Sequence, residues 1–230
     1  MPVWREWDLT VDADAVLRGQ GADPAIIRGR SAILVSVAER AIREGSHLIK
    51  PEVLFRRLAV DRVAHERITL EGNGILQGKL LAQHLAPASE AAVILCTIGD
   101  DLETRASETM AHDPVFGLAL DGLGSAYVEA LANAACRRFE DDAKVESLQT
   151  SIPLSPGMIG WSVEEGQPQI FHLLPSEEIG VRVTASWVML PRKSLSMVLG
   201  IGREMVEAGR TCDYCTLREA CRYQDHYASR

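Results

Sequence analysis

The residues best suited to chemistry lie in the last twenty positions, which hold three of the five cysteines of the chain. Cys212, Cys215 and Cys221 form the pattern Cys-x2-Cys-x5-Cys, and Asp225 and His226 follow closely. The close pair can bind one metal ion from a single turn, and the third thiolate can reach that ion across a short loop. With His226 the three thiolates would complete a tetrahedral zinc site. With Asp225, His226 or an outside ligand they could instead hold an iron–sulfur cluster.

The alternative interpretation is a reduced tail that binds no metal, because chain ends are commonly disordered. Cys96 and Cys136 lie within apolar segments, where cysteine usually acts as a small buried side chain. The sequence has no H-E-x-x-H, G-x-S-x-G or P-loop motif. No residue therefore presents itself as a nucleophile, general acid or general base, and any reaction would depend on a cofactor. Whether the chain is itself an enzyme stays open at this point.

The composition excludes two classes of partner. The 230 residues carry a formal net charge of −8, whereas binding to a nucleic acid backbone requires basic patches. No stretch approaches the roughly 20 consecutive apolar residues of a membrane span. Arg5, Glu6 and Asp8 interrupt the apolar residues near the N-terminus, which therefore does not read as a signal peptide. We expect a cytoplasmic protein without nucleic acid or membrane partners.

The elements that position these residues are predicted to be mainly helical over the first 110 positions. Asp23 and Pro24 open one long amphipathic helix that Gly45 ends. Residues 91–100 read as a short buried strand that runs into a Gly-Asp turn. Residues 115–148 are apolar on most sides and carry small residues at helical spacing, which lets another element approach closely. That segment is predicted to be the central core helix.

Beyond Pro153 the periodicity changes to that of strands. Residues 178–191 and 194–202 read as two β segments that pair as antiparallel neighbours across the bend "PRKS", residues 191–194. The predicted fold class is α+β, with a helical N-terminal half packed on an antiparallel β-sheet. The predicted regions are 1–110, mainly helical; 111–205, an α+β core; and 206–230, a cysteine-rich tail.

The stretch "PLSPGMIGW", residues 153–161, joins the core helix to these strands. Proline fixes φ and glycine lacks a Cβ atom, so backbone amide and carbonyl groups there can lie directly against a ligand. The commoner use of such residues is only to turn a corner before a sheet. The residues that follow the stretch favour the first interpretation.

Residues 155–202 resemble the activation domain of cobalamin-dependent methionine synthase, and more closely the free-standing activation-domain proteins associated with corrinoid proteins. The matching positions are the turn Ser155, Pro156 and Gly157, the helix Ile170–Leu174, and the strand signature Thr184, Ser186, Met189, Pro191, Ser194 and Ser196. The helix that ends near Phe139 is similar to the long core helix of the family, and the first 110 residues match only loosely. The resemblance implies an activation-domain-like fold.

The resemblance also implies a function. In methionine synthase the domain binds S-adenosylmethionine in a shallow groove and caps the corrinoid domain, where a methyl group reaches cob(II)alamin as an electron arrives. We therefore expect an accessory protein that supports reductive activation or methyl transfer. Its partner would be a corrinoid protein or corrinoid-dependent methyltransferase that carries cobalamin, and S-adenosylmethionine is a possible second cofactor. The candidate cofactor-binding residues are Ser155, Pro156, Gly157, Met158, an exposed Trp161, Thr184, Ser186, Ser194 and Lys193. Lys193 or Arg192 could substitute electrostatically for an arginine that the family carries.

The sequence departs from the family pattern at two positions of the turn. Pro153 stands where the synthases carry the arginine that holds the carboxylate of the ligand, and Met158 replaces an aromatic residue. Loss of a bidentate arginine would remove roughly 1.5–3 kcal/mol of charge-assisted hydrogen bonding. The acidic residue that receives the amino group of the ligand has no evident counterpart. Two alternatives therefore stay open: an S-adenosylmethionine-binding methyltransferase, and a structural module whose tail holds zinc or an iron–sulfur cluster.

Overall fold

The structure is a computed structural model that describes residues 2–205, 210–219 and 221. In these residues an antiparallel sheet of seven strands has the order β4-β3-β2-β5-β9-β6, with β1 paired to β2. The strands are Val3–Trp4 (β1), Glu52–Ala64 (β2), Arg67–Leu70 (β3), Gly74–Gln77 (β4), Glu90–Thr97 (β5), Gln149–Thr150 (β6), Arg182–Val183 (β7), Met189–Leu190 (β8) and Ser194–Gly202 (β9). The helices are Ala13–Gly19 (α1), Pro24–Arg30 (α2), Ala32–Gly45 (α3), Lys79–Leu85 (α4), Asp101–Met110 (α5), Pro114–Val145 (α6) and Val163–Leu173 (α7). The predicted α+β class with an antiparallel sheet is confirmed.

The sheet separates two hydrophobic cores. Successive side chains of a strand point to opposite faces, so the fully buried strand β5 contributes to both cores. One core, which we call the helix face, packs β5 residues Ala92, Ile94 and Cys96 against α1, α3 and α6. The other, which we call the turn face, packs Ala91, Val93 and Leu95 against α4, α7 and residues 154–161.

Helix α6 is the core helix of the helix face. Asp113 caps it by accepting a hydrogen bond from the Phe116 amide at 3.1 Å, and Pro114 occupies the first turn, where a missing N–H costs little. By length and composition α6 could cross a membrane, but 67% of its most apolar window is buried inside the protein. That burial is what a core helix requires.

An aromatic cluster joins the N-terminus to the helix face. The Trp4 ring centroid lies 4.2 Å from that of Phe55 on β2 and 4.9 Å from that of Phe139 on α6. The Arg138 guanidinium lies over the Trp4 ring, 4.0 Å from its centroid. Because aromatic side chains bury large areas, this cluster fixes the short strand β1 against α6.

The single helix predicted between Pro24 and Gly45 is wrong, because two helices meet at Ser31. Its backbone is extended, with φ −151° and ψ 91°, and its amide donates to the Ile27 carbonyl at the end of α2. Its hydroxyl accepts from the Leu34 amide at 3.4 Å and so caps the start of α3. Serine competes with the helix backbone for hydrogen bonds, which explains the break.

The predicted pairing of the two C-terminal β segments is also wrong. Strands β7 and β8 pair with each other in a separate two-stranded sheet, whereas β9 lies between β5 and β6. Strand β9 is buried along almost its whole length, and only the central sheet offers it a partner on both sides. The first 110 residues, which were predicted to be mainly helical, hold helices α1 to α5 and also supply five strands, β1 to β5.

Candidate functional site

Residues Ser155–Trp161 form a closed loop that we call the Pro-Gly turn. The Gly157 amide donates to the Trp161 carbonyl at 2.8 Å, and the Trp161 amide donates to the Met158 carbonyl at 3.0 Å. Gly157 and Gly160 have φ values of +99° and +79°, which L side chains rarely adopt. The turn is therefore fixed by its own backbone and requires both glycines.

Trp161 is fully buried, and the expectation that it is exposed is wrong. The indole fits between two segments that carry no side chain at the points of contact. A Cβ atom on Gly166 would lie 2.7 Å from the Trp161 ring, and one on Gly78 would lie 3.0 Å from it. Its indole nitrogen has no hydrogen-bond partner within the described residues. Trp161 thus supports the Pro-Gly turn from below and does not face solvent.

The outer side of the Pro-Gly turn is covered by residues 210–219, which we call the strap. The Ile159 amide donates to the Tyr214 carbonyl, and the Thr216 hydroxyl donates to the Gly157 carbonyl, both at 2.9 Å. Met158 also forms an isolated β-bridge with Cys215. The turn was expected to lie open, but these contacts occupy outward-facing backbone groups. Ile159 and Gly160 remain exposed.

Thr184 and Ser186 lie at the tip of the β7–β8 hairpin. The Thr184 hydroxyl lies 3.1 Å from that of Ser186 and accepts from the Val188 amide at 3.1 Å. Trp187, which follows Ser186, has φ +63°, an unusual value for a bulky residue, and is partly exposed. Such a conformation costs of order 1–3 kcal/mol and is typical of functional sites. Sequence reasoning missed Trp187, because a backbone angle leaves no signal in residue types.

Lys193 and Ser194 are engaged in contacts that hold the start of β9. The Lys193 ammonium lies 2.9 Å from the Asp121 carboxylate and donates to the Ser125 hydroxyl at 2.9 Å, both on α6. The Ser194 hydroxyl is buried between the Thr97 hydroxyl at 2.9 Å and the Pro191 carbonyl at 2.8 Å. Both side chains therefore connect elements of the fold, and their predicted contact with a cofactor stays a prediction.

The cysteines of the tail do not assemble into a metal centre in the part of the chain that the structure describes. There, no three His, Cys, Asp or Glu side chains converge in a way that could hold a metal ion. Cys212 and Cys215 lie in one tight turn, in which the Cys215 amide donates to the Cys212 carbonyl at 3.4 Å. His226 lies outside the described residues. Metal binding by Cys212, Cys215, Cys221 and His226 stays a prediction.

A cleft of about 390 Å³ lies between the segment 10–18 and α6, and the sequence did not point to it. Glu129 and Asn133, one helical turn apart on α6, line it together with Arg18. Burial raises the pKa of the Glu129 carboxyl, and the carboxamide oxygen of Asn133 accepts no hydrogen bond within the described residues. Two acceptors and one guanidinium therefore line one cleft. The only sequence signal was a polar pair at positions i and i+4 inside an apolar helix.

A larger groove of about 690 Å³ lies between α5 and the β7–β8 hairpin. Carboxylates line it, and two of them already hold arginines: Glu52 pairs with Arg5, and Glu103 pairs with Arg192 of the "PRKS" bend. These pairs tie the hairpin to α5 and β1 to β2. The ion pairs that line the groove therefore join elements of the fold.

Comparison with solved structures shows which fold these elements form. No protein-family profile and no curated protein matches the sequence. Among the similar structures is the crystal structure of the MetH reactivation domain bound to AdoHcy, with a TM-score of 0.62. The likeness covers 91% of this chain and 81% of that one, at 14% sequence identity. The chain thus has the activation-domain fold, as the sequence resemblance predicted.

Proposed function

We propose that this chain is an accessory protein that docks on a corrinoid protein and supports its reductive activation or methyl transfer. The observation that carries the proposal is the likeness to the MetH reactivation domain over 91% of the chain. A second support is the motif from Ser155 to Ser196, whose matching residues lie on or beside the Pro-Gly turn, α7, the β7–β8 hairpin and the start of β9. The cobalamin would reside on the partner and supply the methyl-accepting cobalt. We propose a cytoplasmic location for the complex.

The proposed docking edge combines the hairpin tip with the exposed part of the Pro-Gly turn. Trp187 and Val188 project from the tip, and Val188 is 49% exposed. Trp161 was expected to supply an aromatic surface for a flat macrocycle; since it is buried, Trp187 takes that role in the proposal. An aromatic ring offers a large contact area at a low cost in side-chain entropy.

Titration with cobalamin-loaded corrinoid domain of methionine synthase tests the docking. We expect a complex in calorimetry and a change in the cob(II)alamin absorption spectrum. Trp187→Gly removes the ring at a backbone angle that glycine adopts freely, so it should weaken binding about tenfold or more. Val145→Ser, at an exposed site on the end of α6, is the matched control and should bind normally. Absence of contact with this domain and with the corrinoid proteins of the source organism would remove the proposal.

We further propose that the cleft beside α6 takes the amino-acid end of an S-adenosyl ligand. This ligand would bind on the helix face, whereas the docking edge lies on the turn face, and so would not itself be the methyl donor to the docked cobalt. An α-amino acid carries an ammonium and a carboxylate, and the cleft offers Glu129 and Asn133 to the first and Arg18 to the second. An ammonium beside Glu129 would favour the ionised carboxylate, whose pKa burial raises. Arg18, which forms no ion pair within the described residues, would then replace the arginine that Pro153 displaces in the turn. The AdoHcy bound by the MetH reactivation domain supports this choice of ligand.

Calorimetry with S-adenosylmethionine and AdoHcy tests the cleft. Glu129→Gln and Arg18→Met should each weaken binding about tenfold, because each removes a charge-assisted hydrogen bond. Glu164→Gln, on the exposed side of α7, is the control. If the unmodified chain gives no heat at millimolar ligand, it binds neither compound and the proposed ligand is wrong. If Glu129→Gln binds the ligand as tightly as the control does, the cleft is excluded as the binding site, although the chain still binds the ligand.

The tail supports a second proposal, namely metal binding through Cys212, Cys215 and Cys221. The supporting observation is that the first two lie in one turn, as a chelating pair requires. Anaerobic purification with metal analysis tests it. Brown protein with iron and sulfide indicates a cluster that could pass an electron, and colourless protein with zinc indicates a structural site. Protein with neither metal contradicts the proposal.

A further inference from the structure

The backbone of the Pro-Gly turn divides into groups that bond within the turn and groups that point outward. The amides of Gly157 and Trp161 belong to the first kind, because they donate to carbonyls of the turn itself. The Gly157 carbonyl and the Ile159 amide belong to the second, and Thr216 and Tyr214 of the strap occupy them. A ligand or partner that used these two groups would have to displace the strap.

The strap is organised around its own polar contacts. The Arg210 amide donates to the Asp213 carboxylate at 2.8 Å, and that carboxylate lies 3.5 Å from the Arg218 guanidinium. These contacts lie within the strap and do not involve the turn. The strap can therefore leave the turn as a unit without first losing its internal structure.

Within the described residues, an aromatic ring of the strap also contacts the turn face. Tyr214 packs against the turn face, with its ring centroid 5.2 Å from that of His84 on α4 in an edge-to-face arrangement. The described attachment thus includes two hydrogen bonds to the backbone of the turn, which flank the β-bridge between Met158 and Cys215, and the packing of this ring. Each such contact contributes modestly, so their sum is compatible with reversible release.

We infer that the strap is a lid that competes with the corrinoid partner for the Pro-Gly turn. Residues 210–219 must therefore dissociate from the turn before the partner can bind it. This inference rests on the proposed function for the identity of the competitor. The closed arrangement itself depends only on the contacts above. Since only the open form binds, the apparent affinity is lowered by the fraction of the chain that is open.

Hydrogen exchange at single amides tests the closed arrangement without any partner. The Ile159 amide should be protected in the unmodified full-length chain. Thr216→Val removes the hydroxyl bond at nearly constant shape and should speed exchange at Ile159 about fivefold, whereas Thr216→Ser keeps the hydroxyl and should not. The amides of Gly157 and Trp161 should exchange alike in all three proteins. Exchange at Ile159 as fast as in an unprotected amide, or equal in all three, overturns the lid.

Binding to the cobalamin-loaded corrinoid domain tests the competition. Thr216→Val should bind about fivefold more tightly than Thr216→Ser, because the hydroxyl no longer favours the closed form. Tyr214→Ala should act in the same direction, with Leu217→Ser, at an exposed neighbouring site, as control. Equal or weaker binding by Thr216→Val means that the strap is no competitor. If no protein binds, the proposed function fails, and the exchange rates alone decide whether the lid exists.

Discussion

The two faces of the central sheet are covered by different kinds of structure. On the helix face, α1, α3 and α6 pack side by side, and their backbones satisfy their own hydrogen bonds. On the turn face, the irregular segment from Leu154 to Trp161 takes the place of a helix and bonds to the strap and to β9. Regular helices need only apolar packing, whereas a turn also needs fixed glycines and partners for its backbone groups. The turn face therefore presents backbone groups that can bind a ligand or partner, whereas the helix face forms a rigid support.

The largest expected effect comes from removing one large buried ring on each face. Phe139→Ala and Trp161→Ala should each lower the free energy of unfolding by about 3–5 kcal/mol, measured by denaturant titration. Only Trp161→Ala should also raise exchange at the Ile159 amide, because the indole lies under the Pro-Gly turn. Equal disturbance of the turn by both variants would mean that the two cores are not independent.

Overpacking is the next largest effect. A Cβ atom on Gly122 would lie 2.7 Å from the Val16 carbonyl oxygen, and one on Gly166 would lie 2.7 Å from the Trp161 ring. Gly122→Ala and Gly166→Ala should each destabilise the protein by about 1–3 kcal/mol, since neither neighbour can move freely. Gly29→Ala is the matched control on α2, where nothing lies within 4 Å of the added atom. A thermal melt that ranks Gly29→Ala with the other two would contradict the close approach.

A smaller effect is expected from the ion pair that joins α6 of the helix face to Lys193, just before β9. Asp121→Asn keeps the shape of the side chain but removes the charge that Lys193 contacts, and should cost about 1–2 kcal/mol, because the pair is only partly shielded from water. Asp141→Asn is the control, because its partner Lys144 is largely exposed. Denaturant titration should find no change for the control. A loss no larger for Asp121→Asn than for Asp141→Asn would show that Lys193 finds another partner.

The smallest expected effect is a dependence of stability on pH that belongs to the turn face. Burial lowers the pKa of His84 below its ordinary value of about 6.5, so the folded protein prefers the neutral ring. The unfolded chain takes up the proton first, and the free energy of unfolding should fall as the pH drops below about 6.5. Thermal melts between about pH 5 and 8 should show this slope, and His84→Phe, which does not titrate, should reduce it. An unchanged slope in the variant would assign the effect to other groups.

The sequence predicted the regular parts of the molecule better than the junctions. Residues 114–145 were recognisable as the core helix from their apolar faces and small residues, and the fold followed from the motif around Pro156 and Thr184. The break at Ser31 and the separate β7–β8 hairpin were missed, since serine occurs in many contexts and strand pairing is decided at long range. The burial of Trp161 leaves no local signal, because it depends on Gly78, more than eighty positions away. The cleft at Glu129 depends on the position of α1, and its only local sign is the polar pair Glu129 and Asn133 inside an apolar helix.

Of the four tryptophans of the chain, Trp4 and Trp7 pack on the helix face, Trp161 packs on the turn face and Trp187 lies at the hairpin tip, so each face has its own optical signal. Trp4 belongs to the aromatic cluster with Phe139, whereas Trp161 lies beneath the Pro-Gly turn. Chains that retain one of these two indoles should report, by the wavelength and quenching of their fluorescence, on the melting of one core at a time. Stopped-flow traces of such a pair would show in real time whether partner contact disturbs the turn while the helices stay intact.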